Sequence, residues 1–142
     1  MLTKTARERP PVVLLVEDEE TVSRFIRKVL ETSGYEVLEA TNSEEAMRVV
    51  TGFPDAIDVL LTDVRMPVFQ NGLELADSFK ALRPGASVLL TSGSPLPEGF
   101  RPEEKGWEML SKPFSPNELK SVLAALPVFR PASADWSSVP AV

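Results

Sequence analysis

Four short stretches of this chain end in residues suited to phosphoryl chemistry. Glu17 and Asp18 follow VVLLV, Asp63 follows VLLT, Thr91 closes a second VLLT, and Lys112 stands in Lys112-Pro113-Phe114. Carboxylates gathered at one point attract a divalent cation, because hard cations take oxygen ligands and unpaired buried charge is costly. A carboxylate can also attack phosphorus and form an acyl phosphate. Its own charge repels the incoming group, so the pattern calls for Mg²⁺ beside it to screen that repulsion and offset charge on the transferring oxygens. Glu17, Asp18 and Asp63 are the expected ligands, completed by water and a backbone carbonyl, with that of Arg65 the candidate. Lys112 is expected to bind a phosphoryl oxygen as a point charge. The Thr91 hydroxyl suits another oxygen, and its movement toward the phosphate would carry a signal to the surface.

Taken singly, each residue has an ordinary explanation. Acidic residues after a strand favour the start of a helix, Asp63 could be a loop or cap residue, Lys112 a solvated lysine at a turn, and Thr91 a β-branched strand end. Their joint placement argues otherwise, and it depends on the elements that carry them. Pro11–Val16 reads as a continuous apolar strand of the kind covered on both faces. From about Thr21, Val22, Phe25, Ile26, Val29 and Leu30 form one helical stripe, ended by Ser33-Gly34. Tyr35–Ala40 is a short strand. Asn42 or Ser43 caps a second helix, which Pro54 breaks. Ile57–Thr62 is the third strand, and Asp63–Gly72 a loop. The next helix turns Leu73, Ala76, Phe79 and Leu82 inward and stops at Pro84-Gly85.

Ser87–Thr91 is a fourth strand. The segment 94–105 carries Pro95, Pro97, Gly99 and Pro102, which speaks against a full helix. Trp107–Leu110 is a weak fifth strand. Ser115 or Asn117 opens a final helix bearing Leu119, Val122, Leu123 and Leu126. The order βαβαβαβ(α)βα implies an α/β fold with a parallel sheet, helices on both faces and right-handed crossovers. In such a sheet the strand C-termini share one edge where ligands bind. Glu17, Asp18, Asp63, Thr91 and Lys112 are expected to meet there.

Composition narrows the classes. A chain of 142 residues suggests one domain, and shares of 43% hydrophobic and 25% charged residues suit a soluble globular protein. With neither cysteine nor histidine, it cannot be a histidine phosphocarrier, a thiol or Ser-His-Asp hydrolase, or a Cys- or His-ligated metalloprotein. The net charge of −6 argues against general affinity for nucleic acid. No apolar run is long enough for a membrane span, and the opening MLTKTARERPP lacks a signal peptide's apolar stretch, so a cytoplasmic location is expected. Residues 1–9 and 128–142 read as flexible tails around a domain over residues 10–127.

The motifs VVLLVEDEE, DVLLTDVRMP with NGLELA, VLLTSG and LSKPF together resemble the receiver domain of a response regulator from two-component signalling. The resemblance covers roughly Pro11 to Leu126. It implies a flavodoxin-like, doubly wound five-stranded parallel sheet in the order 2-1-3-4-5, here with an irregular or shortened fourth helix. It makes Asp63 the phosphorylated residue, Glu17 and Asp18 the acidic pair for Mg²⁺, Thr91 the switch hydroxyl, and Lys112, before a cis Pro113, the phosphate-contacting lysine. The implied donor is a sensor histidine kinase or a histidine phosphotransfer protein. Such a protein is not an enzyme beyond its own phosphorylation and dephosphorylation.

Four features depart from the family pattern. Glu17 replaces the commoner Asp, the loop VFQNG is one residue longer than usual, Met109 stands where an aromatic residue is common, and the Pro-rich segment replaces the fourth helix. The leading expectation is a single-domain receiver, monomer or weak dimer, that signals through an unknown downstream protein with no output domain after Pro127. The Met109 and Pro-rich departures motivate an alternative, a receiver-fold binding module whose output is independent of phosphate. A flavin carrier on the same fold is disfavoured, because Glu17 to Glu20 would repel a flavin phosphate.

Overall fold

Apolar runs too short for helices, separated by amphipathic ones, leave one economical arrangement: strands inside and helices outside. The computed structural model describes residues 9–65 and 71–127. Strands β1 (Val12–Val16), β2 (Glu36–Ala40), β3 (Val59–Asp63), β4 (Ser87–Ser92) and β5 (Glu108–Ser111) form one parallel sheet in the order β2-β1-β3-β4-β5. Helices α1 (Glu20–Thr32), α2 (Ser43–Gly52), α3 (Gly72–Leu82) and α4 (Pro116–Ala125) complete the described α-helices. Every residue of β1, β3 and β4 is buried, whereas the edge strands β2 and β5 are partly exposed. Each central strand therefore carries a continuous apolar stretch (Val12–Val16, Val59–Leu61 and Val88–Leu90), since both of its faces are covered.

Alternation along the strands divides the core in two. Leu14, Val16, Leu60, Val88 and Leu90 pack with Ala46, Val50, Leu75, Ala76 and Phe79 of α2 and α3. Val13, Leu15, Val59, Leu61 and Leu89 pack with Ile26, Val29, Leu30, Leu119 and Leu123 of α1 and α4. Turn chemistry sets the ends. Asn42, rather than Ser43, caps α2 by accepting the Glu45 N–H. Ser115, rather than Asn117, caps α4 in a reciprocal capping box with Glu118. Gly34 follows the Ser33 C-cap with φ 95°, a left-handed conformation that favours glycine.

Between β4 and β5 the chain makes only a 3₁₀ turn, Pro102–Lys105, so the expected fourth helix is reduced to this turn. Trp107 lies just before β5 rather than in it, buried against the α2–α3 side of the core. The inward assignment of Leu82 needs correcting, and Phe25 stands out from the otherwise inward stripe of α1. Leu82 is 52% exposed and Phe25 is 38% exposed. Leu82 ends α3, and Phe25 instead sets its ring 6.1 Å from that of Phe114. Of the tails expected at 1–9 and 128–142, residues 1–8 and 128–142 lie outside the described residues, as does most of the lengthened loop. Arg9 is described and pairs with Asp55 at 3.3 Å.

Candidate functional site

Period-two alternation aims the chemistry. Glu17 continues the side of β1 set by Val13 and Leu15, and Asp63 continues that of Val59 and Leu61. Thr91 follows Leu89, and Lys112 follows Leu110. All four therefore fall on the α1–α4 side of the sheet at the carboxyl ends of their strands. Register aligns them laterally, with Asp63 opposite Thr91 and Val16 opposite Thr62. The sequence placed these groups at one edge, and the structure brings them together.

A ligand oxygen from each of Glu17, Asp18 and Asp63 lies within 4.8 Å of the others. Lys112 Nζ donates to Glu17 Oε1 at 3.0 Å and to Asp63 Oδ2 at 2.8 Å. The Arg65 N–H donates to Asp63 Oδ1 at 3.0 Å, which places the start of the β3–α3 loop directly on the carboxylate. The Glu19 N–H donates to Glu17 Oε2 at 3.2 Å. Glu17 and Asp63 are buried and Asp18 is exposed. Burial pushes the Glu17 carboxyl above its ordinary range, and the hydrogen bonds from Lys112 and Glu19 only partly offset this. Burial works against the Lys112 ammonium, but its bonds to Asp63 and Glu17 and their charges outweigh that and raise its pKa. Lys112 is thus a retained cation between two carboxylates. The Lys112–Pro113 peptide bond is cis, as the resemblance implies.

Three carboxylates against one ammonium leave two negative charges in excess, and all the side-chain donors are hard oxygens. This set fits a divalent cation of the Mg²⁺ class. Thr91 Oγ1 is buried without a hydrogen-bond partner among the described residues. A buried hydroxyl left unpaired is costly, and this one stands beside Asp63 in the register.

Sequence reasoning missed Gly72. A Cβ there would lie 2.1 Å from the Asp63 carbonyl oxygen and 2.9 Å from Val64 Cα. The first turn of α3 therefore rests on the backbone of Asp63, and the Gly72 N–H donates to the Val64 carbonyl at 2.9 Å. Asn71 caps that helix in a reciprocal box with Glu74. The Asn71-Gly72 pair was the available signal, but its contact with Asp63 requires the folded chain. Ser92 is also placed here, its hydroxyl donating to the Ser94 carbonyl at 2.7 Å.

The response regulator receiver domain family matches residues 13–124, and this chain belongs to that family. It is 30% identical over 115 residues to the transcriptional regulatory protein CpxR of Escherichia coli (strain K12), covering 80% of this chain and 48% of CpxR. It is 32% identical over 114 residues to the autoinducer 1 sensor kinase/phosphatase LuxN of Vibrio campbellii, covering 80% of this chain and 13% of LuxN. Among solved structures, the chemotaxis protein CheY4 of Vibrio cholerae superposes with a TM-score of 0.70 at 27% identity, covering 80% of this chain and 96% of that one. The chain spans about half the length of CpxR. No helix of the described residues is long and apolar enough to cross a membrane.

Proposed function

We propose that this receiver accepts a phosphoryl group on Asp63 from a sensor histidine kinase or histidine phosphotransfer protein and passes the signal on by changing a protein–protein contact. The observation that carries the proposal is the meeting of Glu17, Asp18 and Asp63, with Lys112 bridging two of the three. Glu17, Asp18, Asp63 and the Arg65 backbone carbonyl would hold Mg²⁺. When bound, the ion supplies charge neutralisation at the transferring oxygens.

The chain's own residues do the rest. Asp63 is the nucleophile, anchored through Oδ1 by the Arg65 N–H, and its Oδ2 faces the Lys112 ammonium. Once phosphorylated, the group carries more negative charge than the carboxylate it replaces, and Lys112 is placed to follow it onto a phosphoryl oxygen. The Thr91 hydroxyl donates to a second oxygen and so gains the partner it lacks among the described residues. Movement of Thr91 then reaches β5 through the Leu90–Met109 and Thr91–Leu110 pairs. Met109 and the crossover after β4 would carry the change outward, in the cytoplasm.

Incubation with a small acyl-phosphate donor and Mg²⁺, followed by intact mass, tests the proposal. The expected result is the mass of one phosphoryl group, absent in Asp63→Asn and without the metal. Undiminished uptake by Asp63→Asn would reject it.

A further inference from the structure

A polar side chain interrupts the apolar layer between the sheet and helices α2 and α3. Thr62 falls between Leu60 and Val64, which pack on that side, and it is completely buried. A buried hydroxyl needs a partner, and this one donates to the Asp63 carbonyl at 3.0 Å. The bond therefore lies on the acceptor's own backbone. The pairing of β1 with β3 ends at Val16 and Thr62, one residue short of Asp63. On the other side of the same peptide, the Val64 N–H donates to the Thr91 carbonyl at 2.8 Å. In the next peptide the Val64 carbonyl accepts the Gly72 N–H at 2.9 Å, and the Arg65 N–H returns to Asp63 Oδ1 at 3.0 Å. All four polar groups of the two peptides after Asp63 are thus bonded, as buried backbone requires. Of those four bonds, only that from Thr62 uses a side chain other than the acceptor's own.

We propose that Thr62 is a positioning residue for phosphoryl acceptance: its hydroxyl fixes the peptide between Asp63 and Val64 and so holds the acceptor and Thr91 in one frame. This rests on the acceptor reading above. A planar peptide turns as one body. A bond at the Asp63 carbonyl therefore restrains the Val64 N–H and, through it, the backbone of Thr91. The same restraint keeps the Arg65 N–H, one peptide on, aimed at Asp63 Oδ1. With an acyl phosphate as donor, an Asp63 oxygen bonds to phosphorus as the bond from phosphorus to the donor's oxygen breaks. The electron pair of that bond leaves with the donor's carboxylate. Small errors in the line of attack slow such a step steeply. Thr62 faces the α2–α3 side while the Asp63 carboxylate faces the α1–α4 side, so the hydroxyl acts through the backbone and touches no reacting atom.

Two substitutions in the full chain separate the hydroxyl from its scaffold. Thr62→Val replaces the hydroxyl with a methyl group of similar size, and Thr62→Ser keeps the hydroxyl while removing a methyl group. Uptake from a small acyl phosphate with saturating Mg²⁺ is followed by intact mass across donor concentrations, and urea denaturation gives the stability of each preparation. Thr62→Val should lower the maximal rate by about tenfold and leave the half-saturating donor concentration within about twofold of wild type. Thr62→Ser should stay within about threefold of the wild-type rate, although its lost methyl group destabilises the core. Arg83→Met, which removes donors to the Val50 and Phe53 carbonyls at the end of α2, should destabilise the chain and leave the rate unchanged. Should Thr62→Val not fold, Thr62→Cys, whose thiol is a weak donor, stands in for it with the same expectation. A rate that follows the hydroxyl rather than the stability carries the proposal. Thr62→Val at the wild-type rate, or Thr62→Ser as slow as Thr62→Val, would overturn the positioning role alone. No mass gain in the wild-type chain would overturn the acceptor reading and the positioning role with it.

Discussion

Gly72→Ala adds a single methyl group where the structure has no room for one. The new Cβ would stand 2.1 Å from the Asp63 carbonyl oxygen, whereas real Cβ contacts essentially never fall below 3.0 Å. The difference, 3.0 − 2.1, requires a displacement of at least 0.9 Å. The obstacle is backbone in a central strand, so no side chain can rotate away. Overpacking of this kind costs about 1–3 kcal/mol. Helix propensity acts in the opposite direction, since alanine in place of glycine favours a helix by about 0.5–1 kcal/mol. Without the close approach, the substitution would stabilise the chain. With it, we expect a net loss of about 1–2 kcal/mol, or about 5 °C in thermal midpoint. The displaced backbone is that of Asp63 itself, so phosphoryl uptake should also slow by about tenfold or more. Urea denaturation and uptake kinetics on the same preparation check both effects. A variant as stable as the wild type, or more so, would refute the argument from contact.

Other perturbations separate the site from its scaffold. Lys112→Met removes the cation shared by Glu17 and Asp63. The metal-free chain should lose about 2 kcal/mol, partly regained on adding Mg²⁺, as urea denaturation with and without the ion would report. Arg83 donates to the carbonyls of Val50, Phe53 and Asp55 at 2.7–2.9 Å, far along the strands from Asp63. Arg83→Met should cost about 1–3 kcal/mol of stability and leave phosphoryl uptake unchanged. Burial pushes the Tyr35 hydroxyl up to about 12 from its ordinary 10. The folded chain therefore keeps a proton that the unfolded chain releases, and stability present below pH 10 falls as the pH rises toward 12. Tyr35→Phe should flatten that decline in denaturation curves taken across alkaline pH.

What could be read in advance follows from which interactions are local. The strands Val12–Val16, Val59–Asp63 and Ser87–Ser92 are buried along their length with apolar stretches at their centres, because both sheet faces are covered, so strand identity and the shared edge were legible. The prolines after Ser94 spoke against a full helix, and the segment forms a 3₁₀ turn. Periodicity places a residue on a face but does not say how far the neighbouring layer extends, which is why Leu82 and Phe25 turned out to be exposed. The contacts of Lys105 with Asp77, of Arg83 with the end of α2, and of Gly72 with Asp63 depend on how separate elements approach. No local pattern encodes those approaches. Lys112 was expected near phosphate, but its bond to Glu17, across 95 positions of sequence, emerges only from the folded edge.

The central claim is that Asp63 carries the phosphoryl group, and trapping that bond tests it most directly. The chain is phosphorylated with Mg²⁺ and a small acyl phosphate, and borohydride then reduces the aspartyl phosphate to homoserine. Peptide mass mapping locates the converted residue. The account predicts conversion at position 63 alone, and none in the sample prepared without metal. Conversion at another carboxylate, with Asp63 intact, would contradict it.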